Sequence, residues 1–109
     1  MKRKTHPDLA KDMKLKEVHN ISLDDYKRVL KEQGGVCAIC GDQNGRVDPR
    51  TGKRMMLSVD HDHTCCPKKY SCGDCFRGLL CNRCNMGLGH FNDDPQLMFR
   101  AISYLTRLL

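Results

Sequence analysis

Tryptophan is absent from this chain, and only 6% of its residues are aromatic. A chain of 109 residues buries a limited core even when large side chains are plentiful. Without them, something besides apolar burial has to contribute to stability, and a bound metal is the obvious candidate. Long apolar runs are missing as well. The opening stretch Met1-Lys2-Arg3-Lys4-Thr5-His6-Pro7 has no apolar segment behind it. Neither a secretory leader nor a transmembrane helix is therefore expected, and no membrane partner. No internal repeat or low-complexity tract is found. Acidic residues are outnumbered, 13 against 19 basic ones, for a formal charge of +6. That balance favours a polyanion, most simply nucleic acid. A four-thiolate zinc site would carry about −2 and bring the working charge to about +4. Charge alone is then equally compatible with an ordinary basic protein.

What the chain has in abundance is cysteine, eight residues in all. That density fits either a secreted disulfide scaffold or a metal site in a reducing compartment. With no leader in view, the cytoplasm and metal are favoured. Cys37/Cys40 and Cys81/Cys84 are two Cys-x-x-Cys pairs, and each turn presents two thiolates to one ion. Together they make a closed tetrahedral structural zinc site. The spacing between them, residues 41–80, exceeds the ~15–20 residues of a simple ribbon. The site therefore clamps the base of an inserted unit. Redox thiols are the rival, but no βαβ pattern surrounds either pair. A second group, Cys65, Cys66, Cys72 and Cys75, can bind another zinc, with Cys65 or His63 as the fourth ligand. A disulfide within that loop and free thiols remain open.

The coarse organisation follows from caps and periodicity. Residues 1–20 read as a mobile basic arm with a short helical stretch, and residues 21–109 as the domain proper. Ser22-Leu23-Asp24-Asp25 opens a helix with a capping hydroxyl and first-turn acids, and Gly34-Gly35 closes it. Tyr26, Val29 and Leu30 form its apolar face. Residues 42–54 are loop, Leu57-Ser58-Val59 runs as a strand into Asp60, and residues 64–76 form an insertion. Residues 77–80 read as a second strand. Residues 81–85 turn into a helix that Gly87 and Gly89 keep short. Asp94-Pro95 opens a last helix. Its apolar side, with Leu97, Met98, Ala101, Ile102, Leu105, Leu108 and Leu109, is expected to cover the core or, at its end, to meet a second copy.

Between the two cysteine pairs lies Asp60-His61-Asp62-His63, and Asn85 follows the second pair directly. A structural zinc site does not need this string. In a regular strand Asp60 and His61 point to opposite faces, so the strand must end or distort for both to serve one reacting phosphate. A carboxylate and an amide oxygen are hard ligands that suit Mg²⁺. A neutral imidazole can take a proton from water near neutral pH. Asp60, Asn85 and His61 can fill those roles in phosphodiester hydrolysis. Each alone is weak evidence, since an Asp-His pair is more often a turn or a simple hydrogen bond.

The strings at residues 33–41, 59–63 and 77–85, with Leu88-Gly89 and Asp93-Asp94-Pro95, resemble the recombination endonuclease VII family. These are phage-type members of the HNH, or ββα-metal, nucleases. The likeness covers about residues 22–106 in matching order and spacing. It implies a small zinc-stabilised α+β domain with a ββα-metal core between N- and C-terminal helices. The zinc ligands fall on Cys37, Cys40, Cys81 and Cys84, and the general base on His61. The ligands of a catalytic Mg²⁺ or Mn²⁺ fall on Asp60 and Asn85, and a second active-site histidine on His63. A glutamate of the family pattern is here Leu88; His90 lies nearby and reads as a surface residue. The resemblance also implies a DNA substrate, including branched recombination intermediates, a phage-infected bacterial cell as the setting, and a homodimer.

Backbone phosphates should meet Arg77, Arg83, Lys68, Lys69 and Arg54, with Arg50 and Lys53 further candidates and Arg77 the best of them. The expectation is thus a zinc-stabilised, Mg²⁺-dependent DNA endonuclease. The alternatives are a non-catalytic zinc module that binds nucleic acid or protein, and a redox or metal sensor built on the second cysteine group.

Overall fold

The computed structural model describes residues 7–107, with side chains from residue 10 onward. Four helices and a two-stranded sheet follow one another as α1 (Pro7–His19), α2 (Leu23–Glu32), β1 (Ser58–His61), β2 (Phe76–Leu80), α3 (Asn82–His90) and α4 (Pro95–Thr106). The class is small α+β, as expected.

The arm reading of residues 1–20 is corrected for its larger part. Pro7–His19 is a helix, and Leu15 and Val18 on it are buried. The Asp12 carboxylate accepts from the backbone N–H of Leu23, which ties α1 to the start of α2. Residues 1–6 lie outside the described residues. Asn20 makes the turn between the two helices at φ 53°, a left-handed conformation that asparagine tolerates.

α2 begins at a capping box. Asp25 N–H donates to Ser22 Oγ, and Ser22 N–H donates to the Asp25 carboxylate. Tyr26 is buried and its hydroxyl donates to Leu57 O at 2.6 Å, fixing the approach to β1. Burial pushes the phenol up to about 12. Gly34 and Gly35, both at positive φ, end the helix. Gln33 then binds β2 as another strand would. Its amide N–H donates to Leu79 O, and its amide oxygen accepts from Leu79 N–H, both at 2.9 Å.

β1 and β2 are antiparallel, with Ser58 opposite Leu80 and Asp60 opposite Gly78. His61 then pairs with Phe76, so the register breaks between Asp60 and His61 and Arg77 is skipped. Leu79, fully buried, centres a core of Leu15, Ile21, Leu23, Tyr26 and Leu57 that runs into Cys37 and Cys81. The core therefore merges with the first cysteine cluster.

α3 runs through Gly87 and Gly89 to His90, longer than those glycines suggest. Asn92 and Asp93, both near φ 54°, turn the chain to the Asp94 cap of α4. α4 does not cover the core. No residue on it is buried, and Ile102 and Leu105 are 56% and 71% exposed. Only Leu97, Met98 and Ala101 near its start are half-buried, so the expected core-covering role is corrected. Leu108 and Leu109 lie outside the described residues. The radius of gyration, 16.5 Å, exceeds the roughly 13 Å of a compact chain of this length, consistent with a projecting helix.

Candidate active site and metal centres

The four sulfurs of Cys37, Cys40, Cys81 and Cys84 lie within 4.8 Å of one another. Cys40 and Cys81 are 3.7 Å apart. A tetrahedron with Zn–S arms of about 2.3 Å has edges of about 3.8 Å, so the spacing fits zinc. Backbone amides face the sulfurs: Ile39 N–H points to Cys37, Asp42 N–H to Cys40 and Cys84 N–H to Cys81. Cys81 is at once a member of this cluster and the cap of α3. Burial pushes the Cys37 thiol up, but hydrogen bonds from Cys40, Cys81 and Ile39 outweigh it and bring it down to about 6. Arg83 stands beside Cys40, whose sulfur raises the guanidinium pKa. Arg54 donates to Asn44 O and lines the same open pocket as Arg83, about 460 Å³, next to the cluster.

Cys65, Cys66, Cys72 and Cys75 form a second group with sulfurs within 4.8 Å. Cys65 to Cys72 is 3.8 Å, Cys72 to Cys75 is 3.9 Å and Cys65 to Cys66 is 4.0 Å. These again are tetrahedral edges, far longer than a disulfide bond. Cys65 completes the set and His63 does not. His63 instead faces Asp93 through Nδ1. The two clusters differ in setting: Cys37 and Cys81 are buried, whereas Cys65 and Cys72 are exposed.

The Asp-His string sits between them at the end of β1. Asp60 and His61 are both buried. The strand ends at His61, directly after the register break. His61 Nε2 lies 2.9 Å from Cys66 O and 3.1 Å from Lys68 O. Carbonyls only accept, so Nε2 carries the proton and donates to both. In the neutral ring Nδ1 is then the nitrogen without a proton. The His61 and His63 rings are 4.5 Å apart.

Arg77, expected against phosphate, is held within the site. Its Nε donates to Asp60 at 2.7 Å and a terminal nitrogen donates to the other Asp60 oxygen at 3.1 Å. The same nitrogen reaches Asp93 at 3.5 Å. The Asp60 hydrogen bond, then its charge, raises the Arg77 pKa further. Asn85 lies on α3, which packs on both strands, and lines a cavity of about 400 Å³ with Ser58, Val59 and His19. Lys68 and Lys69 are exposed.

Sequence reasoning missed two residues. Asp93 entered only as part of the string Asp93-Asp94-Pro95 that carries the resemblance, yet its carboxylate meets both His63 and Arg77. The left-handed Asn92-Asp93 turn after α3 was the available signal. His19 closes α1 beside the Asn85 cavity with Nδ1 buried and unpartnered; burial first, then the charge of His61, lowers its pKa. A histidine among lysines in a supposed arm gave no signal of this.

An α+β domain with two four-cysteine clusters and Asp-His at a strand end is the class these features define. Residues 12–107 match the family described as recombination endonuclease VII, and the chain belongs to it. Among curated proteins it is similar to the Gene 59 protein of Mycobacterium phage D29, 38% identical over 90 residues, 82% of this chain and 46% of that protein. The Gene 59 protein of Mycobacterium phage L5 is 39% identical over 88 residues, 80% of this chain and 44% of that protein. The chain thus spans about half the length of these relatives. No solved structure gives a significant match. Among the described residues no helix is long and apolar enough to cross a membrane.

Proposed function

We propose that this chain is a metal-dependent DNA endonuclease that hydrolyses phosphodiester bonds with His61 as general base. β1, β2 and α3 would be its ββα-metal unit. The observation that carries the reading is the Nε2–H of His61 bound to two carbonyls at the end of β1, which leaves Nδ1 to take a proton from the attacking water. His63, steadied by Asp93, would orient phosphate or water.

Asp60 and Asn85 would hold Mg²⁺ or Mn²⁺. Their oxygens are hard donors of the right kind. Both Asp60 oxygens accept from Arg77, so a divalent ion would share that carboxylate with the guanidinium through the remaining lone pairs. When bound, such an ion stabilises charge on the phosphate and the leaving oxygen. Lys68, Lys69, Arg54 and Arg83 would contact backbone phosphates, fixing position without reading sequence. Cutting both strands calls for two active sites, and the uncovered apolar side of α4 is the contact a homodimer would use. The phage relatives favour an infected bacterial cell as the setting.

The bidentate Arg77–Asp60 pair favours a second reading, a non-catalytic zinc module that binds nucleic acid or a protein. Cleavage separates the two. Wild type and His61→Ala are incubated with Mg²⁺ and no added zinc, on supercoiled plasmid and on a synthetic four-way junction. Wild type is expected to nick or cut, and His61→Ala to be slower by about 10²–10⁴-fold with its thermal transition kept. Equal cutting by both would remove His61 as base. Binding without cutting by wild type would put the second reading first.

A further inference from the structure

The loop of residues 65–75 has its own cysteine cluster, and that loop also supplies the carbonyls that hold His61. We infer that Cys65, Cys66, Cys72 and Cys75 bind a zinc ion whose task is to aim the His61 ring. The inference rests on the nuclease reading for the role of His61, but the metal site itself does not.

The connection is short. Cys66 is a ligand through its sulfur and a partner of His61 through its carbonyl oxygen, 2.9 Å from Nε2. Lys68, two residues on, supplies the other carbonyl at 3.1 Å. The loop is joined to the strand end on both sides of the ring. Cys65 and Cys66 N–H both donate to Asp62 O, and Asp62 N–H donates to Cys75 O. Its far side docks on the end of α1. Ser71 N–H donates to Val18 O, and the Asn20 amide donates to Cys72 O.

Apart from these hydrogen bonds and the cluster, no buried side chain holds this loop in shape. Residues 64 to 75 form no helix or strand, and none is buried. An apolar core cannot set the Cys66 and Lys68 carbonyls at hydrogen-bonding distance from Nε2. Four thiolates on one ion can, because the metal fixes both ends of the loop and its middle at once. The ion would act on catalysis through the carbonyls, as a positioning group and not as a participant. With it gone, the loop loses its shape, Nε2 loses both acceptors and the ring is free to turn and exchange tautomers. The exposed setting of Cys65 and Cys72 makes this ion the more accessible of the two.

The test uses the full chain purified with zinc under reducing conditions. Native mass spectrometry counts zinc in wild type, Cys72→Ser and Cys72→His, and ¹H–¹⁵N spectra record backbone amides and the His61 ring. Wild type is expected to hold two zinc ions, with His61 as a fixed Nε2–H tautomer. Cys72→Ser should hold one, keep the amide signals of α2 and β2, and show averaged ring nitrogens. Its cleavage should fall by about 10–100-fold. Cys72→His, which restores a zinc donor, should recover the second ion, the ring signature and most of the activity. One zinc in wild type would overturn the site. An unchanged His61 ring in one-zinc Cys72→Ser would overturn the positioning role, and global unfolding of that variant would overturn its local nature. If wild type does not cut DNA, the nuclease reading fails while zinc count and ring signature still decide the metal site.

Discussion

The two cysteine clusters offer the same donors at the same spacing and occupy opposite environments. Cys37 and Cys81 lie in the core beside Leu79, and Cys81 caps α3. Cys65 and Cys72 are exposed on a loop with no buried residue. Donor chemistry therefore does not set what a metal does here. An ion at the first cluster would tie three elements to a small core, so its loss removes the fold. An ion at the second would shape one loop, so its loss is felt where that loop touches something, at His61 and at the end of α1.

Three substitutions would break or sharpen that contrast. Cys81→Ser is expected to be the most severe: a sulfur of the first cluster and a core residue go together, while the serine hydroxyl can still cap α3. The chain should lose its cooperative thermal transition and all cleavage, and a stable, folded variant would show that the first cluster is not the keystone. Leu79→Ala comes next, at about 2–5 kcal/mol by denaturant titration, because it opens a cavity beside the first cluster. Zinc content should stay the same as long as the protein is folded. Gly73→Ala is the mildest and acts only on the second region. Gly73 has φ +90°, and a Cβ there would lie 2.6 Å from the Asn20 carbonyl oxygen. The strain of about 1–3 kcal/mol should appear as faster amide exchange in residues 71–75 and at Asn20, with α2 and β2 unaffected. Uniform loss of protection would mean that the two regions unfold as one.

Much of this was legible in the chain. Ser22 and Asp25 cap α2 through their own side chains, Gly34-Gly35 end it, and Asp94-Pro95 start α4, all local effects that short strings determine. The first cluster was readable because Cys-x-x-Cys fixes two sulfurs on one turn. The arm was misread because Leu15 and Val18 are spaced among lysines and become buried only once α1 docks on the rest of the fold. α4 was expected to cover the core because an apolar side says that a helix wants cover, not what supplies it.

The sequence by itself determined the donor sets, the helix caps and the presence of an Asp-His pair, since these depend on residues a few positions apart. Tertiary structure decided the rest. It chose Cys65 over His63 as the fourth member of the second cluster, turned Asp93 towards His63 and paired Arg77 with Asp60. It also set two carbonyls of the cysteine loop against His61. Each of these depends on where the register of β1 and β2 breaks, on how α1 meets α2 and on how α3 packs against the sheet. Those choices come from the summed burial of a small core, which no short string of residues encodes.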